Sequence, residues 1–203
     1  MTQPITVVFL GKSGSGKGTQ AALLLKSFDR IDPSRKTIYV ETGQKLRDFI
    51  QTSDGTMARK VKEVMNAGGF MPPFVPIWAW SRFFAEELKT GEEHIVCDGL
   101  CRQPEEPPIL EGAFKFLSRA KPFVILLDVH HKVVTERLLR RGRFDDKEEK
   151  IAERLRSFET QAMPAVKYFE KSPNVTFVTV NGDQPIEKVH EDVLRAIGIQ
   201  GRI

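Results

Sequence analysis

The chain has 203 residues, 40% of them hydrophobic and 29% charged, with a net charge of +4. That length and balance describe one soluble globular domain with material for a full core, and they leave no stretch near the roughly 20 apolar residues that cross a bilayer. The mild basic excess suits a polyanion, and a nucleotide and a nucleic acid both qualify.

The first element is the short apolar run Ile5-Thr6-Val7-Val8-Phe9-Leu10, read as a strand. At six residues it is too short for a signal peptide. Gly11-Lys12-Ser13-Gly14-Ser15-Gly16-Lys17-Gly18-Thr19 follows, and Gln20 to Leu25 then reads as a helix. Strand, glycine-rich loop and helix in that order make Gly-x-x-x-x-Gly-Lys a phosphate-binding loop. Glycines let main-chain N–H groups wrap an anion, the helix N-terminus faces the same anion, and Lys17 adds a full charge. A hydroxyl residue usually stands directly after the lysine to hold Mg²⁺. Here Gly18 takes that place and Thr19 comes one later. The metal is therefore expected to be held through water and a carboxylate elsewhere.

Thr37-Ile38-Tyr39-Val40 is a second strand, running into a turn and helix over 41–50. After the turn signal Asp54-Gly55, residues 56–66 have helical spacing with Met57, Val61, Val64 and Met65 on one side. Residues 75–88 form a helix whose aromatic residues Trp78, Phe83 and Phe84 read as core packing. His94-Ile95-Val96-Cys97-Asp98 is a buried strand ending in a carboxylate, and proline-rich 103–108 is a loop. The two cysteines, Cys97 and Cys101, lack the spacing of a zinc site or a disulfide framework. Residues 122–129 are the strongest strand, apolar enough for a sheet covered on both faces. Helices follow over 131–141 and 146–170, the second disturbed at Pro164. A last strand, 175–180, and a closing helix, 185–197, complete the chain.

Strands alternating with helices imply an α/β, doubly wound parallel sheet of about five strands. Ligands of such sheets bind at the carboxyl ends of the strands. The loop 11–19, Thr42, Asp98 and Gln184 all follow strand ends and should line one edge. Phosphoryl transfer needs positioned phosphates and several cations more than it needs covalent chemistry. Arg47, Arg102, Arg137, Arg141, Arg143 and Arg154 are the candidates, with Arg137 and Arg141 on one helix face. Each alone is an ordinary surface charge.

Gly-Ser-Gly-Lys-Gly-Thr-Gln, at 14–20, resembles the nucleoside monophosphate kinases, adenylate kinase above all. The resemblance runs through nearly the whole chain. Val40-Glu41-Thr42-Gly43-Gln44-Lys45-Leu46-Arg47 is similar to Ile-Ser-Thr-Gly-Asp-Leu-Leu-Arg, with Gln44 in place of the aspartate. Asp98-Gly99-Leu100-Cys101-Arg102 is similar to Asp-Gly-Phe-Pro-Arg. Residues 137–142, then Arg143 to Leu155, are similar to the helix entering the lid and to Arg-x-Asp-Asp-x-Glu-Glu-x-x-x-x-Arg-Leu.

The resemblance implies a P-loop kinase core (1–40, 73–136, 147–203), a nucleoside-monophosphate segment (41–72) and a short lid (137–146). It implies an ATP site at Gly14, Ser15, Gly16, Lys17, Gly18, Thr19, Arg137, Arg141 and Gln184. The implied AMP site is Thr42, Arg47, Phe70, Met71, Pro72, Gly99, Arg102, Glu106, Arg143 and Arg154. Lys17, Arg102, Arg137, Arg143 and Arg154 would carry catalysis, and Asp98 would hold Mg²⁺ through water. The expected reaction is MgATP + AMP ⇌ 2 ADP, run by a cytoplasmic monomer whose partners are small nucleotides, with no nucleic acid and no membrane.

Three alternatives stay open. A family glutamine four residues after the Arg102 position is Glu106 here, and a carboxylate that only accepts suits guanine N1 and N2 better than adenine N1. GMP is therefore the second acceptor. A nucleotide-binding protein without turnover is the third reading, against which the acceptor-side arginines count. Asp145 with Glu148 is also a helix capping box, so those acids need have no catalytic part. A single glycine between Arg141 and Arg143 makes the lid very short, which invites water to reach ATP.

Overall fold

The computed structural model describes residues 3–67, 69, 71–141 and 148–201. Five strands, β1 (Thr6–Leu10), β2 (Thr37–Glu41), β3 (His94–Asp98), β4 (Phe123–Asp128) and β5 (Thr176–Asn181), form one parallel sheet in the order β2-β3-β1-β4-β5. The glycine loop leaves β1 in the middle, where the order of connections reverses. That position gives an α/β sheet its ligand crevice.

Alternate residues of a strand face opposite sides. Val8 and Leu10 of β1 join Ile95, Cys97 and Val124 beneath Trp80, Phe84, Leu110 and Phe169. Val7 and Phe9 join Val96, Ile125 and Leu127 beneath Leu24, Phe28, Val189 and Val193. Covering on both faces explains the unbroken apolar runs.

The helices are α1 (Lys17–Ile31), α2 (Thr42–Thr52), α3 (Thr56–Ala67), α4 (Phe74–Glu87), α5 (Glu106–Phe116), α6 (His131–Arg141), α7 (Glu148–Ser157), α8 (Met163–Lys171) and α9 (Ile186–Ala196). Leu46, Val61, Val75 and Ala79 form a smaller cluster joining α2, α3 and α4, with Met57, Met65, Met71 and Trp78 packed against it. No described helix is long and apolar enough to cross a membrane.

Three elements differ from the sequence reading. The proline-rich stretch is a loop only as far as Glu105, and α5 then begins. Pro107 and Pro108 sit in its first turn, where no intrahelical N–H partner is lost. Over its described residues, from Glu148, the helix expected over 146–170 is disturbed beside Pro164 as the sequence implies, but as two helices joined by a π turn, Phe158–Ala162. Pro164 has no N–H to give to the turn before it, and the wider turn absorbs the mismatch. In α4 the most buried aromatic is Trp80, at 1% exposure, beside Phe84, while Trp78 packs edge-on to Phe49 at 4.8 Å. The residue window for this helix was right, but the ring that anchors it was not among those singled out.

Candidate active site

The carboxyl ends of the strands open into a cleft of about 1090 Å³. Its floor is the loop between β1 and α1. Gly14 has φ +84°, and a Cβ there would lie 2.8 Å from Leu138 Cγ, so only glycine lets the loop pass under α6. No acidic residue stands in the first turn of α1 to satisfy its free N–H groups, which leaves them for an anion. Ser15 Oγ is buried in the loop and has no hydrogen-bond partner among the described residues.

Lys17 Nζ donates to the carbonyl groups of Gly11 and Lys12, both at 2.9 Å. Burial pushes its pKa down to about 8; Asp98 pulls the other way, and Arg102 and Arg141 add to the fall. An ammonium so placed gains most from an anionic neighbour. Lys12 ties the loop to the end of β4, donating to Val129 O at 2.9 Å.

Asp98 ends β3 with its carboxylate in this cleft, 8% exposed. Burial raises its pKa, opposed by Lys17 and Arg102. Tyr39 Oη donates to its Oδ2 at 3.4 Å. A Cβ on Gly18 would lie 3.4 Å from the same oxygen, in van der Waals contact, so the carboxylate stands beside the position that follows the lysine.

Arg102 folds back over its own turn, Nε donating to Gly99 O at 3.1 Å. Gly99 has φ +75°, and a Cβ there would fall 2.6 Å from Arg102 Nη2, so the fold-back needs glycine. Arg137 and Arg141 reach the cleft from α6 and Arg154 from α7, and Arg137 Nη2 donates to Gly182 O at 3.0 Å. Arg140 lines the cleft too, although the sequence reading did not select it. Its i, i+3 relation to Arg137 was the available signal.

Thr42 is the first residue of α2, 4% exposed, and its Oγ1 has no partner among the described residues. Arg47 lines the cleft while Nη2 bonds Glu41 Oε1 at 2.9 Å and Gln44 Oε1 at 2.8 Å. Gln184 also lines the cleft, its Nε2 held by Asn181 O and Asp192 Oδ2 at 2.8 and 3.1 Å.

Gly14, Ser15, Gly16, Lys17, Gly18, Thr19, Thr42, Arg47, Met71, Asp98, Gly99, Arg102, Glu106, Arg137, Arg141, Arg154 and Gln184 thus share one cleft. Pro72 does not line it; that residue is exposed, and its carbonyl accepts the N–H of Val75. Phe70 and Arg143, with the capping pair at Asp145, lie outside the described residues.

Glu106 lies in the cleft wall, but its carboxylate is engaged. Oε1 accepts the N–H groups of Arg102 and Gln103 at 2.9 and 3.1 Å, and Oε2 accepts that of Cys101 at 3.2 Å. Cys101 stands at φ +56°, and its thiol is free and buried. A proline, which the family motif has here, could offer neither that N–H nor that φ. Burial pushes the Glu106 carboxyl above the ordinary glutamate range, against the pull of these three donors. No group of three or more His, Cys, Asp or Glu among the described residues is arranged to cage a metal.

The family model described as Adenylate kinase matches residues 9–174. An adenylate kinase of Prochlorococcus marinus is 28% identical over 94% of this chain and 97% of its own length. One from Rhodococcus erythropolis is 30% identical, over 95% and 98%. A uridylate kinase of Saccharomyces cerevisiae is 27% identical over 95% of this chain and 91% of its own. With the glycine loop, the end-of-strand carboxylate and the ring of arginines in one cleft, and this match across most of its length, the chain belongs to the adenylate kinase family, whose fold and nucleoside monophosphate kinase activity it shares.

Proposed function

We propose that the protein transfers the γ-phosphoryl group of MgATP reversibly to AMP, giving two ADP. The observation that carries this reading is the gathering of Lys17, Arg102, Arg137, Arg141 and Arg154 from separate elements around one cleft. A protein that only bound ATP would not need Arg102, from the loop after β3, and Arg154, from α7, on the acceptor side.

In this reading the loop amides and Lys17 hold the β- and γ-phosphates, while Arg137 and Arg141 hold the triphosphate from above. Arg102 and Arg154, with Arg143, draw the acceptor phosphate into line. The acceptor is ionised at neutral pH, so no base is required, and the protein supplies position and charge. Asp98 suits Mg²⁺ held through water, since Tyr39 Oη is its one hydrogen-bond donor among the described residues and acceptor capacity remains. Mg²⁺ held there would supply positive charge to offset the charge that develops on the transferring phosphoryl group. Thr42, whose buried hydroxyl lacks a partner, is a contact for the acceptor nucleoside.

The case for GMP rested on a carboxylate facing the base, and the carboxylate of Glu106 faces three main-chain N–H groups instead. UMP enters as the second reading because of the relative named uridylate kinase. A coupled ADP assay with MgATP and AMP, GMP, CMP, UMP or dTMP, beside a control without acceptor, tests all of these. AMP is expected to give the fastest turnover. ADP and phosphate released without acceptor would overturn the kinase reading.

A further inference from the structure

A base in the acceptor site needs a side chain that can match its edge, and the aligned position for that is Glu106. Glu106 is 1% exposed and all three of its hydrogen bonds go to the loop 101–103. It clamps the turn that carries Arg102. The side-chain amide nearest in sequence is Gln103, which is half-buried and lines the same cleft. Its Nε2 donates to Met71 O at 2.6 Å, across 32 residues, which ties the loop after β3 to the chain leading into α4. That bond uses one of two amide hydrogens. The second hydrogen, and Oε1, bond to no described residue.

The strap holds the amide in one orientation before any ligand arrives, which reduces the side-chain entropy lost on binding. What remains is one donor and one acceptor on the same amide. Adenine N6 donates and N1 accepts, which is the complementary pair.

Resting on the monophosphate kinase reading, we infer that Gln103 reads the base of the acceptor nucleotide, the task having moved from position 106 to position 103. Glu106 is then a positioning residue, and the two roles are separate because the N–H of Cys101 gives the carboxylate its third partner.

The experiment measures kcat and KM for AMP, GMP and UMP with saturating MgATP in the wild type, Q103A and Q103E. For Q103A the KM for AMP should rise roughly 10- to 100-fold with a smaller change in kcat, and the ratios between bases should shrink. For Q103E the AMP-to-GMP ratio of kcat/KM should fall at least about 10-fold, because a carboxylate accepts from guanine N1 and N2 and meets adenine N1 lone pair to lone pair. An equal fall for all three acceptors in both variants overturns the proposal and leaves Gln103 as a strap on Met71. Loss of the Met71 bond should lower the melting temperature by roughly 2–4 °C in both variants while the KM for ATP stays within about twofold; a large fall in melting temperature and in ATP affinity with unchanged base ratios also overturns it. A wild type that phosphorylates no monophosphate defeats the kinase reading itself, a result distinct from unchanged ratios in an active enzyme.

Discussion

Glu106→Gln separates a loop clamp from a base reader. In Glu106 one oxygen serves two N–H groups, at 2.9 and 3.1 Å, and the other serves Cys101 at 3.2 Å. A glutamine can keep the first pair on its carbonyl oxygen, but its NH₂ then faces the N–H of Cys101, donor against donor. Cys101 is 2% exposed, so that N–H has no water to turn to. One lost charge-assisted bond and one orphaned buried donor cost about 2–4 kcal/mol together. Removing a carboxylate that burial already disfavours returns part of that, leaving a net loss of about 1–3 kcal/mol. For a chain of 203 residues this lowers the melting temperature by roughly 3–10 °C. Because Arg102 is one of the clamped residues, kcat/KM should fall for every acceptor by a similar factor. Thermal unfolding followed by circular dichroism, with the coupled assay on AMP, GMP and UMP, reads both effects. An unchanged melting temperature together with a swing toward AMP would refute the clamp and return Glu106 to the base.

Two further outcomes follow from other parts of the molecule. With Lys17 held near pKa 8 by burial, a bound triphosphate should restore its proton, so ATP binding at pH 8.5 takes up roughly half a proton or more, and affinity weakens as pH rises through 8; calorimetry in two buffers of different ionisation enthalpy reads this, and no difference between buffers would contradict it. At the opposite edge of the sheet, Arg119 is 7% exposed and donates to Thr6 Oγ1 at 3.0 Å and to the carbonyl groups of Gly91 and Glu93. Arg119→Met orphans those acceptors and should cost about 3–5 kcal/mol, seen as a large drop in urea midpoint with kcat unchanged in the surviving native protein.

How the chain declares itself differs from element to element. The glycine loop was legible because its work is done by main chain, and main-chain geometry is set locally by where glycines stand. The strands were legible because burial on both faces leaves an apolar run that no surface element would carry. Helix α5 was hidden by Pro107 and Pro108, whose meaning inverts between a first turn and an interior. Trp80 was hidden among the aromatics of α4, since period alone does not say which ring meets the sheet.

Local pattern and order along the chain were enough to place the glycine loop, the parallel α/β architecture and the family. The partners of Glu106 and Gln103 came from the folded chain instead. A carboxylate at 106 reads in sequence as a group waiting for a base; in three dimensions the turn at Cys101 bends three N–H groups toward it, while a contact across 32 residues holds Gln103 against Met71. Hydrogen-bond partners are chosen by proximity in the folded chain, and neither residue type nor spacing states in advance which acceptor will already be occupied.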